Sequence, residues 1–81
     1  SVRARIKRAI DNVNRRAAES EKIAIPSELI TPQNNATMGE TIRAAVTSLR
    51  RFYSAKLPSI TPGNAIDQSV WQQITRDGLV Q

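Results

Sequence analysis

Residues 37–56 read TMGETIRAAVTSLRRFYSAK, and this stretch decides the fold. Met38, Ile42, Ala45, Val46, Leu49, Phe52 and Tyr53 recur at the i, i+3, i+4 spacing of a helix with a broad apolar face. Arg43, Thr47, Arg50 and Ser54 run along the other side. Thr37 and Glu40 stand three apart, the spacing of a capping box: the threonine hydroxyl accepts from the amide of residue 40, and the carboxylate reaches back to the amide of residue 37. Lys56 suits the negative pole at the far end, and Pro58 stops the helix. These signals predict a helix over 38–55 at the centre of the fold.

Toward the N-terminus, Val2, Ile6, Ile10, Val13 and Ala17 lie at spacings of three and four, and no Pro or Gly interrupts before Pro26. A helix over 2–20 is expected. Lys7 with Asp11, and Arg15 with Glu19, stand four apart, where opposite charges attract weakly. The apolar stripe is narrow and fades into alanine, a pattern that suits one partner helix, in this chain or in another.

Between the two helices, residues 21–37 read EKIAIPSELITPQNNAT. Pro26 and Pro32 break any helix, apart from a single turn over 27–30 with Ser27 as its cap. Ile23, Ile25, Leu29 and Ile30 are too apolar for a solvated linker. The connector is expected to lie across a hydrophobic surface, the chain's own or a neighbour's.

Toward the C-terminus, turns at 57–60 and 61–63 precede a third helix over 65–76. Asn64 reads as its cap and Asp67 as the acidic half of the box. Ile66, Val70 and Ile74 share a face with Trp71 beside them, Gly78 reads as the C-terminal stop, and Leu79-Val80 forms an apolar tail. The predicted class is all-α: three helices at about 2–20, 38–55 and 65–76 in one small domain spanning 1–81. The arrangement is open enough to be completed by self-association or by a partner.

Composition sets the function classes. The chain has 81 residues and a net charge of +5, with no cysteine, no histidine, and one each of Phe, Tyr and Trp. Thiol chemistry, cysteine or histidine metal sites and a Ser-His-Asp triad are excluded, and no cofactor is expected. The acids are scattered, and the three glycines are isolated rather than gathered in a phosphate loop. An enzyme is therefore not expected, nor a small-molecule substrate. No apolar run approaches a membrane span or a signal-peptide core, so an intracellular location or the inside of a particle is expected rather than secretion.

The charge is uneven. Residues 1–22 hold seven basic side chains against three acidic ones, and residues 38–56 hold four against one. Arginine outnumbers lysine nine to three, and its weakly hydrated fork suits carboxylate and phosphate partners. The reading is a non-enzymatic subunit of a larger assembly that presents arginines to an acidic surface. Its candidate contacts are Arg3, Arg5, Lys7, Arg8, Arg15, Arg16, Arg43, Arg50 and Arg51. Ile6, Ile10, Val13, Ile23, Ile25, Leu29, Ile30, Leu79 and Val80 are candidate protein-interface residues. The alternative is an accessory nucleic-acid-binding protein that contacts mainly phosphates. A membrane surface ranks below both, because the first helix carries no aromatic anchor.

Overall fold

A computed structural model describes residues 1–27 and 36–80. They are all-α, with helices α1 (Val2–Asn14), α2 (Met38–Ser54), α3 (Gly63–Ile66) and α4 (Gln68–Leu79), and a 3-10 turn at Glu19–Glu21. The expected turn at 27–30, together with Leu29 and Ile30, lies outside the described residues apart from Ser27 itself.

Helix α2 forms as its sequence dictates. The Thr37 hydroxyl accepts from the Glu40 amide at 3.1 Å, and Glu40 Oε1 accepts from the Thr37 amide at 3.2 Å. The hydrogen bond from Thr37 holds the Glu40 carboxyl below its ordinary pKa. A depressed carboxyl pKa gives stability that is complete above the unfolded value and lost as pH falls through the folded one. Apart from this pH effect, Thr37→Ala removes the N-cap hydrogen bond and is expected to lower stability by about 1 kcal/mol. Thermal melts of Glu40→Gln should show a flatter acid limb than the parent, and an identical limb would separate Glu40 from the pH dependence.

The first helix stops at Asn14, six residues before the expected end at Ser20. The cause is the Asn14 side chain. Its Nδ2 donates to the Ile23 carbonyl at 2.7 Å, and its Oδ1 accepts from the Ile23 amide at 2.9 Å. One amide side chain thus supplies both hydrogen bonds that a neighbouring strand would give. The chain has to leave the helix to bring Ile23 back to that position. Arg15 and Glu19 consequently fall outside the helix, and Glu19 pairs with Lys22 at 3.1 Å instead. The Lys7–Asp11 pair forms at 2.8 Å, exposed on both sides.

The single helix expected over 65–76 is two helices. Asp67 takes an extended conformation and caps α4 through Oδ1, which accepts from the Ser69 amide at 2.9 Å and the Ser69 hydroxyl at 2.8 Å. Asn64 is not the cap of this segment. Its Nδ2 donates to the Val13 carbonyl at 3.2 Å, satisfying the C-terminal end of α1 instead. Ile66, on the wrong side of the break, is exposed rather than sharing a face with Val70 and Ile74. Gly78 does not end α4 but lies buried inside it. A Cβ there would sit 3.2 Å from Ile42 Cγ2, so a larger residue would need Ile42 to give by a few tenths of an ångström where α4 meets α2.

Ile6, Ala9, Ile10, Ile23, Ile42, Ala45, Val46, Leu49, Tyr53, Trp71 and Ile74 form the core. Ile6, Ile10 and Ile23 are therefore covered by this chain itself, which removes them from the candidate interface. Val13, Ile25 and Leu79 pack part-buried against the same core, and Val80 is exposed. Phe52, expected among the packing residues of α2, is half-buried at the margin beneath Lys56.

The centre of the bundle is α4, not α2. It packs against both long helices, most extensively against α1, and α1 also touches α2. The C-terminal Val80 meets Arg5 and Arg8 near the start of α1, while Val70 lies beside Arg15 and Arg16 at its end. Gly78 meets Ile42 near the start of α2, and Trp71 meets Tyr53 at its end. Hence α4 runs antiparallel to both helices, which opposes their dipoles.

Candidate acidic-partner interface

The arrangement of α4 determines where the arginines go. Trp71, Ile74 and Gly78 point into the core, whereas Gln68, Ser69, Gln72 and Arg76 are exposed. At 3.6 residues per turn these exposed positions form one outward ridge. A groove runs along each side of it.

On the α2 side the groove is lined by Arg43, Gln72, Thr75, Arg76 and Leu79. It continues past Val46, Thr47, Arg50, Trp71, Gln72 and Thr75. Arg43 and Arg50 are seven residues apart, two turns along one side of α2, so they stand in a row about 10 Å long. No carboxylate lines either stretch. On the α1 side, Asn12, Val13, Arg15 and Arg16 face Val70 and Gln73. Arg5 and Arg8 continue that row, and each donates from Nη2 to the Val80 carbonyl, at 3.2 and 3.1 Å. They cap the end of α4, where cations are favoured. A guanidinium has five N–H donors, so this role leaves others directed outward.

Six of the nine basic candidates therefore gather around α4: Arg5, Arg8, Arg15, Arg16, Arg43 and Arg50. Three do not. Arg3 donates to the Ile25 carbonyl at 3.5 Å, and Lys7 pairs with Asp11, both on the side of α1 that faces the connector. Arg51 follows Arg50 and is turned by about 100° away from α4.

Asp11 and Glu19 are paired on the connector side or in the turn beyond α1. Asp77 accepts from Asn12 Nδ2 at 3.3 Å, Asp67 caps the start of α4, and Glu40 closes the capping box one turn before Arg43. Neither of the two ion pairs among the described residues involves an arginine. The face is positive because its charges were not neutralised within the fold.

Arg76 belongs to this face and was not among the sequence candidates. It is the one basic residue of the near-neutral segment 57–81, so a count of charge passes over it. Its signal was positional, four residues after Gln72 and opposite the stripe of Trp71, Ile74 and Gly78.

Among the described residues no cluster of acids could hold a metal ion, and no helix is long and apolar enough to cross a membrane. Comparison with known proteins gave no match to a family model, a curated protein or a solved structure.

Proposed function

We propose that the chain is a non-enzymatic helical subunit of a larger assembly, and that it docks its α4 face on an acidic surface. One observation carries this reading: arginines from α1, α2 and α4 converge on the two seams of α4, and none of the side chains lining those grooves is a carboxylate. Desolvated arginine forks pair with carboxylates or phosphates in bidentate fashion, and several on one face give both affinity and steering. Assembly is further supported by apolar side chains left in water near the end of α2. Leu57 is 50 %, Ile60 84 % and Ile66 63 % exposed, a cost that burial on a neighbour would relieve.

The test is chromatography on a sulfated polyanion with two triple variants of equal net charge. Arg43, Arg50 and Arg76 to Ala removes charges from the face, and Arg3, Lys7 and Arg51 to Ala removes the same number elsewhere. The first variant is expected to elute at clearly lower salt than the second. Equal elution would show that net charge, not this face, holds the polyanion.

A further inference from the structure

We propose that the acidic surface is double-stranded DNA, with the α4 ridge seated in the major groove and the arginine rows of α1 and α2 on the two phosphate rims. This rests on the reading of the α4 face given above and adds the partner's chemistry.

Shape is the first ground. Because α1 and α2 touch each other as well as α4, the three long helices form a triangle with α4 at one apex. Neighbouring helix axes lie about 8–10 Å apart, and the arginines lean outward from each flank. The two rows therefore flank the ridge on either side, and the ridge is a single helix of the size that the major groove, roughly 12 Å across, admits. Helix α4 has 12 residues, about 18 Å of length, enough to follow the groove for roughly half a turn.

Chemistry is the second ground. The ridge of Gln68, Ser69, Gln72 and Arg76 is polar, with no acid between Gln68 and Arg76 and with Asp67 and Asp77 flanking it in the sequence. A carboxylate surface is acceptor-only and would leave the amide oxygens of Gln68 and Gln72 unmatched, whereas base edges offer donors and acceptors together. Phosphates accept from Arg, Thr and Gln alike, the residue types that line the α2 seam.

Other nucleic acids fit less well. Duplex RNA has a major groove too deep and narrow for a helix. Single strands are held by aromatic platforms, but Tyr53 and Trp71 are in the core and Phe52 sits beneath Lys56.

The experiment measures binding by fluorescence anisotropy over a range of salt. The probes are a mixed-sequence DNA duplex of about 20 base pairs, two helical turns, the matching RNA duplex, single-stranded DNA and polyglutamate. A second DNA duplex carries glucosylated hydroxymethylcytosine, which fills the major groove and leaves the phosphates in place. The DNA duplex is expected to bind at least about tenfold more tightly than the RNA duplex or polyglutamate, and glucosylation should cost about tenfold or more, the scale of about one lost base-pair contact. Replacing Arg43 and Arg50 by Ala should flatten the plot of log K against log salt by about 2, one phosphate for each arginine. Circular dichroism confirms that these surface variants remain folded.

Binding that is indifferent to glucosylation overturns the groove assignment, and so does equal binding of all four polyanions. In both cases earlier elution of the face variant from the sulfated column would leave the arginine face standing. Equal elution of the two triple variants would instead overturn the underlying reading.

Discussion

Trp71→Ala is expected to lower the stability of the fold by about 3–5 kcal/mol, the range for emptying an aromatic site in a core. The ring is 3 % exposed, lies 6.1 Å from the Tyr53 ring, and donates from Nε1 to the Ala65 carbonyl at 2.9 Å. Substitution opens a cavity near the N-terminal end of α4, against the C-terminal end of α2. It also removes the hydrogen bond that ties α3 to α4. A domain of this size has roughly 4–12 kcal/mol in total, so one side chain accounts for a large share. The melting temperature should fall by about 20 °C. Trp71→Phe keeps most of the apolar volume and should cost about 1–3 kcal/mol, mostly for the lost hydrogen bond. An unchanged melting temperature in the alanine variant would mean that the bundle does not close around this ring.

Asn14→Ala should cost about 2–4 kcal/mol, because it leaves both the amide and the carbonyl of buried Ile23 without their partners. The next residue is held the same way from the opposite helix. The Tyr53 hydroxyl accepts from the Ala24 amide at 2.9 Å and donates to the Ala24 carbonyl at 2.8 Å. Two side chains, one from α1 and one from α2, thus grip the backbone of consecutive connector residues. Hydrogen exchange should rise at Ile23 and Ala24 well before it rises in α2. Tyr53→Phe should give the same regional pattern. The double variant should cost less than the sum of the two singles, since either release frees the same segment. Additive costs with unchanged exchange at Ile23 would show that the connector is held by other contacts.

Side chains that bond to distant backbone mark the limit of what could be read from the chain directly. Asn14 and Asn64 carry no local signal for their roles. Asn14 sits where a helical stripe runs on through Ala17, and Asn64 sits three residues before Asp67, a spacing that mimics a capping box. Each amide serves a backbone carbonyl elsewhere in the sequence, that of Ile23 for Asn14 and that of Val13 for Asn64. Gly78 misleads for a related reason. A glycine near the end of a helix usually marks its stop, but here the nearness of Ile42 decides its role.

What the linear sequence determined was whatever depends on neighbours a turn or two away: the all-α class, the capping box at Thr37 and Glu40, the extent of α2, and an excess of arginine. Which helix packs against both of the others most extensively, and so which arginines share a surface, came only with the tertiary structure. Periodicity fixes the side of a helix that is buried and says nothing of what buries it. Placing α4 against both α1 and α2 brought Arg8, Arg43 and Arg76 around one ridge and left Lys7 and Arg51 outside it. That choice arises from close packing at Gly78 and Trp71 and from three amide or hydroxyl side chains acting across the fold.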